Sequence, residues 1–160
     1  LCFTMEEAWT LRFGAEESSV HLQDFLAVPA TWKNPGLIEK WKRVRELRRV
    51  VTGALEIARA DKKIGASLEA APTLYLEDEV DAQLRRAVPM AQIAITSSLR
   101  ILPGPPPQGA FGLADVKGLA VTADLASGNK CARCWMILEE VGTHKAHPHL
   151  CDRCNNAVLP

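Results

Sequence analysis

The sequence predicts an α+β fold with a long helix, a small strand, helix, strand subdomain, and a terminal module that contains four cysteines. Three observations predict it. Apolar residues recur at steps of three and four along residues 34–63, which is the spacing of an amphipathic helix. Short β-prone runs follow between prolines and glycines, as short strands do. Two Cys-x2-Cys pairs lie in the last 30 residues, and this spacing is typical of a metal site.

The composition is that of a folded globular protein. Hydrophobic residues make up 48% of the chain, charged residues make up 24%, and the formal net charge is zero. No apolar run approaches the ~20 residues that span a bilayer, and no cleavable leader is recognisable at the start. Four of the five cysteines form Cys-x2-Cys pairs, which fits a reducing compartment better than a secreted disulfide framework. We therefore expect a cytoplasmic protein without a membrane partner.

The first residues suggest a piece of something longer, because the chain starts at Leu1 without an initiator Met and runs directly into helix-forming sequence. Cys2 is expected to be a small core residue. A first helix is predicted from about residue 3 to residue 13, with Thr4 as its N-cap and Gly14 as its stop. Residues 16–31 are predicted to be an extended connection, because Pro29 excludes a regular helix.

The long helix is the most clearly predicted element. Asn34 can cap it, Pro35 suits its first turn, and Gly65 can end it in a left-handed conformation. Gly53 lies inside the helix, where glycine costs up to ~1 kcal/mol relative to alanine. This cost indicates that Gly53 packs closely against a neighbouring element.

A small α+β subdomain is predicted after the helix. Strands are expected at Thr73–Leu76, at residues 92–97 and within residues 118–126, and a short helix is expected at residues 78–88. Residues 102–112 are rich in proline and glycine and are predicted to be a loop with polyproline character.

The pattern divides the chain into three predicted domains. Residues 1–65 contain the helical region with the long helix, residues 66–127 form the α+β subdomain, and residues 128–160 form the cysteine module. Residues 127–129, with the sequence Ser-Gly-Asn, are predicted to be the hinge into that module.

Positive charge is concentrated on the long helix. Residues 33–63 contain ten of the 19 Lys and Arg residues against four acids. One interpretation is a surface for a polyanion such as tRNA, where each neutralised phosphate contributes through counterion release. The other is a solvated helix face with ion pairs four residues apart. The candidate contacts on this helix are Lys42, Arg45, Arg48 and Arg49.

The cysteine pairs predict a metal-binding module similar to a zinc ribbon. The two pairs are separated by sixteen residues, and two knuckles of this kind complete a closed tetrahedron of thiolates around one structural Zn²⁺. Iron also accepts four thiolates, and paired disulfides or inert thiols are the remaining alternatives. His144, His147 and His149 lie between the pairs but are not needed as ligands. The predicted ligands are Cys131, Cys134, Cys151 and Cys154.

Basic residues adjoin these cysteines. Four thiolates around Zn²⁺ leave a net charge of about −2, which neighbouring cations partly neutralise. The same cations are candidate phosphate contacts. Trp135 is expected to be a core residue of the small module, and stacking on a base is the alternative role for it. The candidate RNA contacts in the module are Lys130, Arg133 and Arg153.

Several motifs, taken in order, resemble the C-terminal region of bacterial-type isoleucyl-tRNA synthetase. They cover essentially the whole chain, and their order is more specific than any one of them. They are FTMEEAW at residues 3–9, ESSVHL at 17–22, VRELRRVVTGALEIAR at 44–59, KIG at 63–65, SLEA at 67–70, KCARCW at 130–135 and HPHLCDRC at 147–154.

The resemblance implies a chain that begins in the last part of a helical anticodon-binding domain, passes through a junction subdomain, and ends in a zinc module that helps to hold the anticodon region of isoleucine tRNA. In this family the ATP-dependent attachment of isoleucine to tRNA belongs to an upstream class I domain, and editing belongs to another upstream domain. The resemblance therefore nominates no catalytic residue in this chain. It implies that the partners are tRNA and the upstream domains, in a monomer.

The proline- and glycine-rich stretch at residues 103–109 departs from the family pattern and puts only the length of that loop in question.

Two other hypotheses remain open from the residues alone. One is the zinc-finger end of a formamidopyrimidine-type DNA glycosylase, for which we find neither a catalytic N-terminal proline nor a helix-two-turn-helix. The other is a rubredoxin-like iron protein that carries electrons, which would be coloured.

Overall fold

A computed structural model describes residues 1–14, 18–77 and 88–159. The chain divides into two compact units, Leu1–Gly36 and Leu37–Pro160. The division into three domains at residues 65 and 127 stays a prediction. Within the described ranges, no helix combines the length and the apolar character that a bilayer crossing requires.

The first unit contains helix α1, Cys2–Phe13, which has no buried residue. Thr4 was predicted to cap this helix, but the helix begins before it, after Leu1. The carboxylate of Glu6 instead accepts hydrogen bonds from the Ser19 hydroxyl (2.8 Å) and from the Val20 amide (3.1 Å). Cys2 is exposed, so the expectation that it is a core residue is wrong.

The sequence predicts an extended connection after α1, but the connection is not extended throughout. From residue 18 onward, two single turns of 3₁₀ helix interrupt it, at Val20–Leu22 and Ala30–Trp32. Ser19 accounts for the first turn, because its side chain caps it by accepting from the backbone N–H of His21.

The second unit is built on helix α2, Pro35–Ala60, which is 26 residues long. It ends before the predicted stop at Gly65, and Lys62 adopts the left-handed conformation instead, with φ 58°. One face of the helix is buried, at steps of three and four as the apolar spacing predicts. The buried residues are Val44, Leu47, Val50, Val51, Ala54, Leu55 and Ala58.

Gly53 packs closely, as predicted. A Cβ atom at this position would lie 2.5 Å from Cε1 of Phe111, which is closer than carbon atoms approach one another. Glycine therefore allows the ring of Phe111 to rest against the backbone of α2.

A four-stranded mixed sheet packs on α2, so the α+β class is confirmed. The strands are β1 (Thr73–Leu76), β2 (Arg100–Pro103), β3 (Phe111–Leu113) and β4 (Val116–Thr122), in the order β2-β1-β4-β3. Strand β1 is parallel to β2 and antiparallel to β4, while β3 is antiparallel to β4. Leu74, Leu76 and Val121 of the sheet belong to the same buried cluster as the inner face of α2.

Two predictions between β1 and β4 need correction. Residues 92–97 do not form a strand, because helix α3, Met90–Ala94, includes the first three of them and ends at Ile95 in the left-handed conformation. Met90 and Ala94 are both buried, and residues four apart share one helix face. The apolar residues whose spacing resembles that of a strand therefore lie in or next to a short helix.

Residues 102–112 are not loop throughout. Strand β2 includes Leu102 and Pro103, and β3 begins at Phe111. Proline is tolerated in β2 because this strand lies at the edge of the sheet. The helix predicted at residues 78–88 lies outside the described residues except for Val88.

Candidate metal centre and basic surfaces

A short hairpin and a short helix bring the four cysteines of the terminal module together. Strands β5 (Asn129–Lys130) and β6 (Ile137–Leu138) pair in antiparallel fashion, and the first cysteine pair lies in the turn between them. Helix α4, Asp152–Val158, begins directly after Cys151. This arrangement places Cys151 at the start of the helix and Cys154 in its first turn.

The four sulfur atoms of Cys131, Cys134, Cys151 and Cys154 lie within 4.8 Å of one another. Cys134 is half-buried and the other three are buried. All are free thiols, and the sulfurs of Cys134 and Cys151 are 3.7 Å apart, a separation that excludes a disulfide between them. Four converging thiols with this spacing suit one tetrahedrally coordinated metal ion, and they match a structural zinc centre in number and type.

Backbone hydrogen bonds hold the first knuckle. The amide of Cys131 donates to the carbonyl of Met136 (2.8 Å), and the amide of Trp135 donates to the carbonyl of Cys131 (2.9 Å). The two knuckles are linked as well, because the amide of Ala132 donates to the carbonyl of His149 (2.9 Å) and the amide of Cys151 donates to the sulfur of Cys131 (3.4 Å).

The thiols ionise differently. Burial raises the pKa of Cys131, but hydrogen bonds from backbone amides, that of Cys134 first, outweigh it and lower the pKa to about 6. Burial raises the pKa of Cys151 to about 12, and hydrogen bonds with the other cysteine side chains add to this effect. A thiolate disfavours ionisation of its neighbours, so a cation at the centre is what allows all four thiols to ionise together.

Two arginines lie against the sulfurs. Nη1 of Arg133 is 3.8 Å from the sulfur of Cys154. Burial raises the pKa of Cys154, but hydrogen bonds, that of Arg133 first, outweigh it and lower the pKa. Hydrogen bonding to Cys134 raises the pKa of Arg153, whose Nη2 also lies 3.9 Å from the sulfur of Met136. Both guanidinium groups therefore offset the negative charge of a tetrathiolate.

Trp135 is not a core residue, contrary to the prediction. Its side chain is 62% exposed, its φ is 66°, and Nζ of Lys130 lies 5.7 Å from the centre of its ring. The cysteines fill the interior of the module together with Val141, Leu138 and Leu150, which leaves no interior position for the indole.

The histidines are not part of the sulfur cluster. Over residues 1–14, 18–77 and 88–159, the one group of side chains that could hold a metal contains cysteines alone. Nε2 of His144 lies 2.8 Å from Oδ1 of Asp152, and this contact accounts for its orientation.

Gly128 lies in the connection between the sheet and the module, at a position that has no space for a side chain. Its φ is 110°, and a Cβ atom would overlap the backbone of Leu138 and Glu139. Neither feature is compatible with a side chain, since this region of φ strains other residues and backbone atoms of a paired strand cannot move aside.

We expect Gly128→Ala to destabilise the module by about 2 kcal/mol or more, because backbone strain and overlap act together. Urea unfolding of the metal-loaded protein measures this loss. Gly104→Ala is the matched control, because Gly104 has φ 108° but no atom within 4 Å of the new Cβ. Equal losses in the two variants would contradict the role of the overlap.

The four basic candidates on α2 are all exposed but differ in their contacts. Nε of Arg48 donates to the carbonyl of Ile93 (3.0 Å). Nη2 of Arg49 donates to Oδ2 of Asp115 (2.9 Å), and this hydrogen bond lowers the pKa of Asp115. Arg48 and Arg49 therefore connect α2 to neighbouring segments. Lys42 and Arg45 make no hydrogen bond or ion pair with the described residues.

The sequence does not indicate the importance of Ser97. Ser97 has a buried side chain whose hydroxyl bonds to the carbonyl of Leu68 and to the amide of Ile137 in the cysteine module. No motif marks it, and its neighbour Ser98, which is identical in type, is exposed.

Comparisons with known proteins agree with the geometry. Residues 128–156 match the family described as a zinc finger found in FPG and IleRS. The chain is 48% identical over 153 residues to an isoleucine–tRNA ligase of Bartonella henselae, and this alignment covers 96% of the chain. It is 50% identical to an isoleucine–tRNA ligase of Mesorhizobium japonicum and 48% identical to one of Ruegeria pomeroyi, each over 99% of the chain.

The chain spans 16% of the length of each of these relatives. The resemblance to isoleucyl-tRNA synthetase is confirmed over 96–99% of this chain.

Proposed function

We propose that this chain is the C-terminal, tRNA-binding part of an isoleucine–tRNA ligase, and that its module holds one structural Zn²⁺ through Cys131, Cys134, Cys151 and Cys154. The observation that carries the proposal is identity of 48–50% to isoleucine–tRNA ligases over 96–99% of the chain. The convergence of the four sulfurs within 4.8 Å supports the ligand assignment.

The metal has a structural role in this proposal. Four thiolates fill a tetrahedral shell and leave no position for water or substrate. Because the hydrophobic interior of the module consists of the cysteines and a few aliphatic side chains, the bond between metal and sulfur supplies the stability that the core of so small a module lacks.

The proposed RNA contacts fall into two groups. On α2, Lys42 and Arg45 carry exposed charges without partners among the described residues, so they are better candidates for phosphate contacts than Arg48 and Arg49. In the module, Lys130 and the exposed ring of Trp135 lie together. An exposed aromatic ring beside a cation suits a base that has left its stack.

Arg133 and Arg153 keep a place among the proposed contacts, but part of their charge is used by the thiolates they touch. Each can neutralise the sulfurs on one side while its remaining N–H groups face a phosphate. We expect their replacement to affect both metal retention and RNA binding.

The activity of the whole protein is part of the same proposal. The full-length enzyme would attach isoleucine to its tRNA at the expense of ATP in upstream domains, and this chain would position the tRNA without contributing a catalytic residue. The protein would act as a monomer. It would act in the cytoplasm, where its thiols remain reduced.

A DNA glycosylase is less well supported. The description of the matching zinc-finger family includes FPG as well as IleRS, so the module alone does not separate the two. The similarity outside residues 128–156 to isoleucine–tRNA ligases favours the synthetase.

The test is binding of isoleucine tRNA and of unrelated tRNAs to the zinc-loaded chain across a series of salt concentrations. We expect preferential binding of isoleucine tRNA. The logarithm of its affinity should fall linearly with the logarithm of the salt concentration, since phosphate contacts release counterions. Absence of binding at low salt would refute the proposal. A colourless protein with one equivalent of zinc is also expected, whereas visible absorption would indicate iron.

A further inference from the structure

Ser97 lies where three segments of the second unit meet. Its side chain is buried, with 4% exposure. Its backbone amide donates to the carbonyl of Ala70 (3.1 Å), and its hydroxyl donates to the carbonyl of Leu68 (2.5 Å). The same hydroxyl accepts a hydrogen bond from the amide of Ile137 (2.7 Å), which belongs to strand β6 of the cysteine module.

A hydroxyl group is suited to this position because it donates and accepts at once. Leu68 supplies an acceptor that needs a donor, and Ile137 supplies a donor that needs an acceptor. Alanine would leave both backbone groups without this partner beside a buried position. A polar group that is shielded from water and lacks a partner is costly.

The chain connection into the module is fastened to the same segment. The amide of Ala126 donates to the carbonyl of Glu69 (2.8 Å), and the hydroxyl of Ser127 donates to Oε1 of Glu139 (2.7 Å). Gly128 then runs against the backbone of Leu138 and Glu139. The connection predicted to be a hinge therefore has contacts on both sides that restrict its motion.

We propose that Ser97 is a positioning residue that locks the cysteine module to residues 68–70, which precede strand β1, so that a ligand held by the module is held in a fixed place relative to α2. The contact through Ile137 is made by the module itself, in addition to the covalent connection at residues 126–128. Two attachments of this kind fix an orientation that one flexible connection would leave free.

The consequence for RNA rests on the proposed function. If the module and α2 both contact one tRNA, a locked module avoids the entropy lost when two loosely joined sites bind the same molecule. Loosening the lock should weaken tRNA binding without removing any group that touches RNA.

The experiment compares Ser97→Ala with the matched control Ser98→Ala, which removes an exposed hydroxyl one residue away. Hydrogen–deuterium exchange of the zinc-loaded chain is followed at the amide of Ile137 and at the core amides of Leu74 and Val121. In Ser97→Ala we expect exchange at Ile137 to be about tenfold faster or more, with much smaller changes in the core. In Ser98→Ala we expect no change at Ile137.

Zinc content and tRNA binding complete the test. Ser97→Ala should retain one equivalent of zinc and bind isoleucine tRNA several-fold more weakly than the parent chain, while Ser98→Ala should bind as the parent does. Unchanged exchange at Ile137, or equal acceleration at Ile137 and in the core, would overturn the proposal. If the parent chain does not bind tRNA at all, the proposed function fails, and the exchange result still decides the role of Ser97.

Discussion

Replacing Cys151 with serine is expected to remove the metal and unfold the module at residues 128–159, while α2 remains helical. The remaining three thiols cannot complete the tetrahedral shell, and apparent zinc-binding free energies of about 10–16 kcal/mol in zinc-finger peptides are also folding free energies. Cys151 also begins α4 and donates its amide to the sulfur of Cys131, so its replacement affects both knuckles. The measurements are zinc content by atomic emission and amide exchange along the chain.

The matched control for this experiment is Cys2→Ser. Cys2 is an exposed cysteine in the other compact unit, so its replacement removes one thiol without touching the sulfur cluster. We expect the control to keep one equivalent of zinc and a protected module. Retention of a full equivalent by Cys151→Ser would refute the ligand assignment.

The double variant Lys42→Gln, Arg45→Gln is expected to weaken binding of isoleucine tRNA by about tenfold or more at moderate salt. If each side chain neutralises one phosphate, the slope of log affinity against log salt should fall by about 1 for each cation removed, and so by about 2 in total. Neither side chain is buried or bonded to the described part of the chain, so the free energy of unfolding should change little. Filter binding at several salt concentrations measures the slope.

A second double variant, Lys62→Gln, Lys117→Gln, removes the same charge from exposed positions outside the candidate set. It should bind tRNA with an affinity and a salt slope close to those of the parent. An equal decrease of slope in both double variants would mean that total charge alone attracts RNA, and the assignment of Lys42 and Arg45 as phosphate-binding residues would then be wrong.

Arg48 and Arg49 illustrate how a basic run divides once the fold is known. In the sequence they continue the same positive stretch as Lys42 and Arg45. In the structure the guanidinium of Arg48 reaches the carbonyl of Ile93, and that of Arg49 reaches the carboxylate of Asp115. These partners are distant in the sequence, so no local pattern could have indicated them.

In the cysteine module, the sequence predicts the convergence of the cysteines correctly but the position of Trp135 incorrectly. The spacing of the cysteines predicts convergence because two residues between cysteines fix a tight turn, and the sulfurs do converge. The position of Trp135 was predicted wrongly, because a module whose interior is filled by sulfur and aliphatic groups has no space for an indole. Whether an aromatic ring is core or surface depends on the volume that the other side chains have already filled.

The sequence by itself determined the features that depend on short spacings: the buried stripe of α2, the close packing at Gly53, the strand β1 and the cluster of four cysteines. Periodicity and turn geometry act over a few residues and are therefore visible in the sequence. Tertiary structure alone decided that residues 90–94 form a helix, that Arg48 and Arg49 have partners, and that the Ser97 hydroxyl bonds to both Leu68 and Ile137. Those outcomes depend on groups brought together from distant parts of the chain, whose hydrogen-bonding needs are met only when the whole unit has folded.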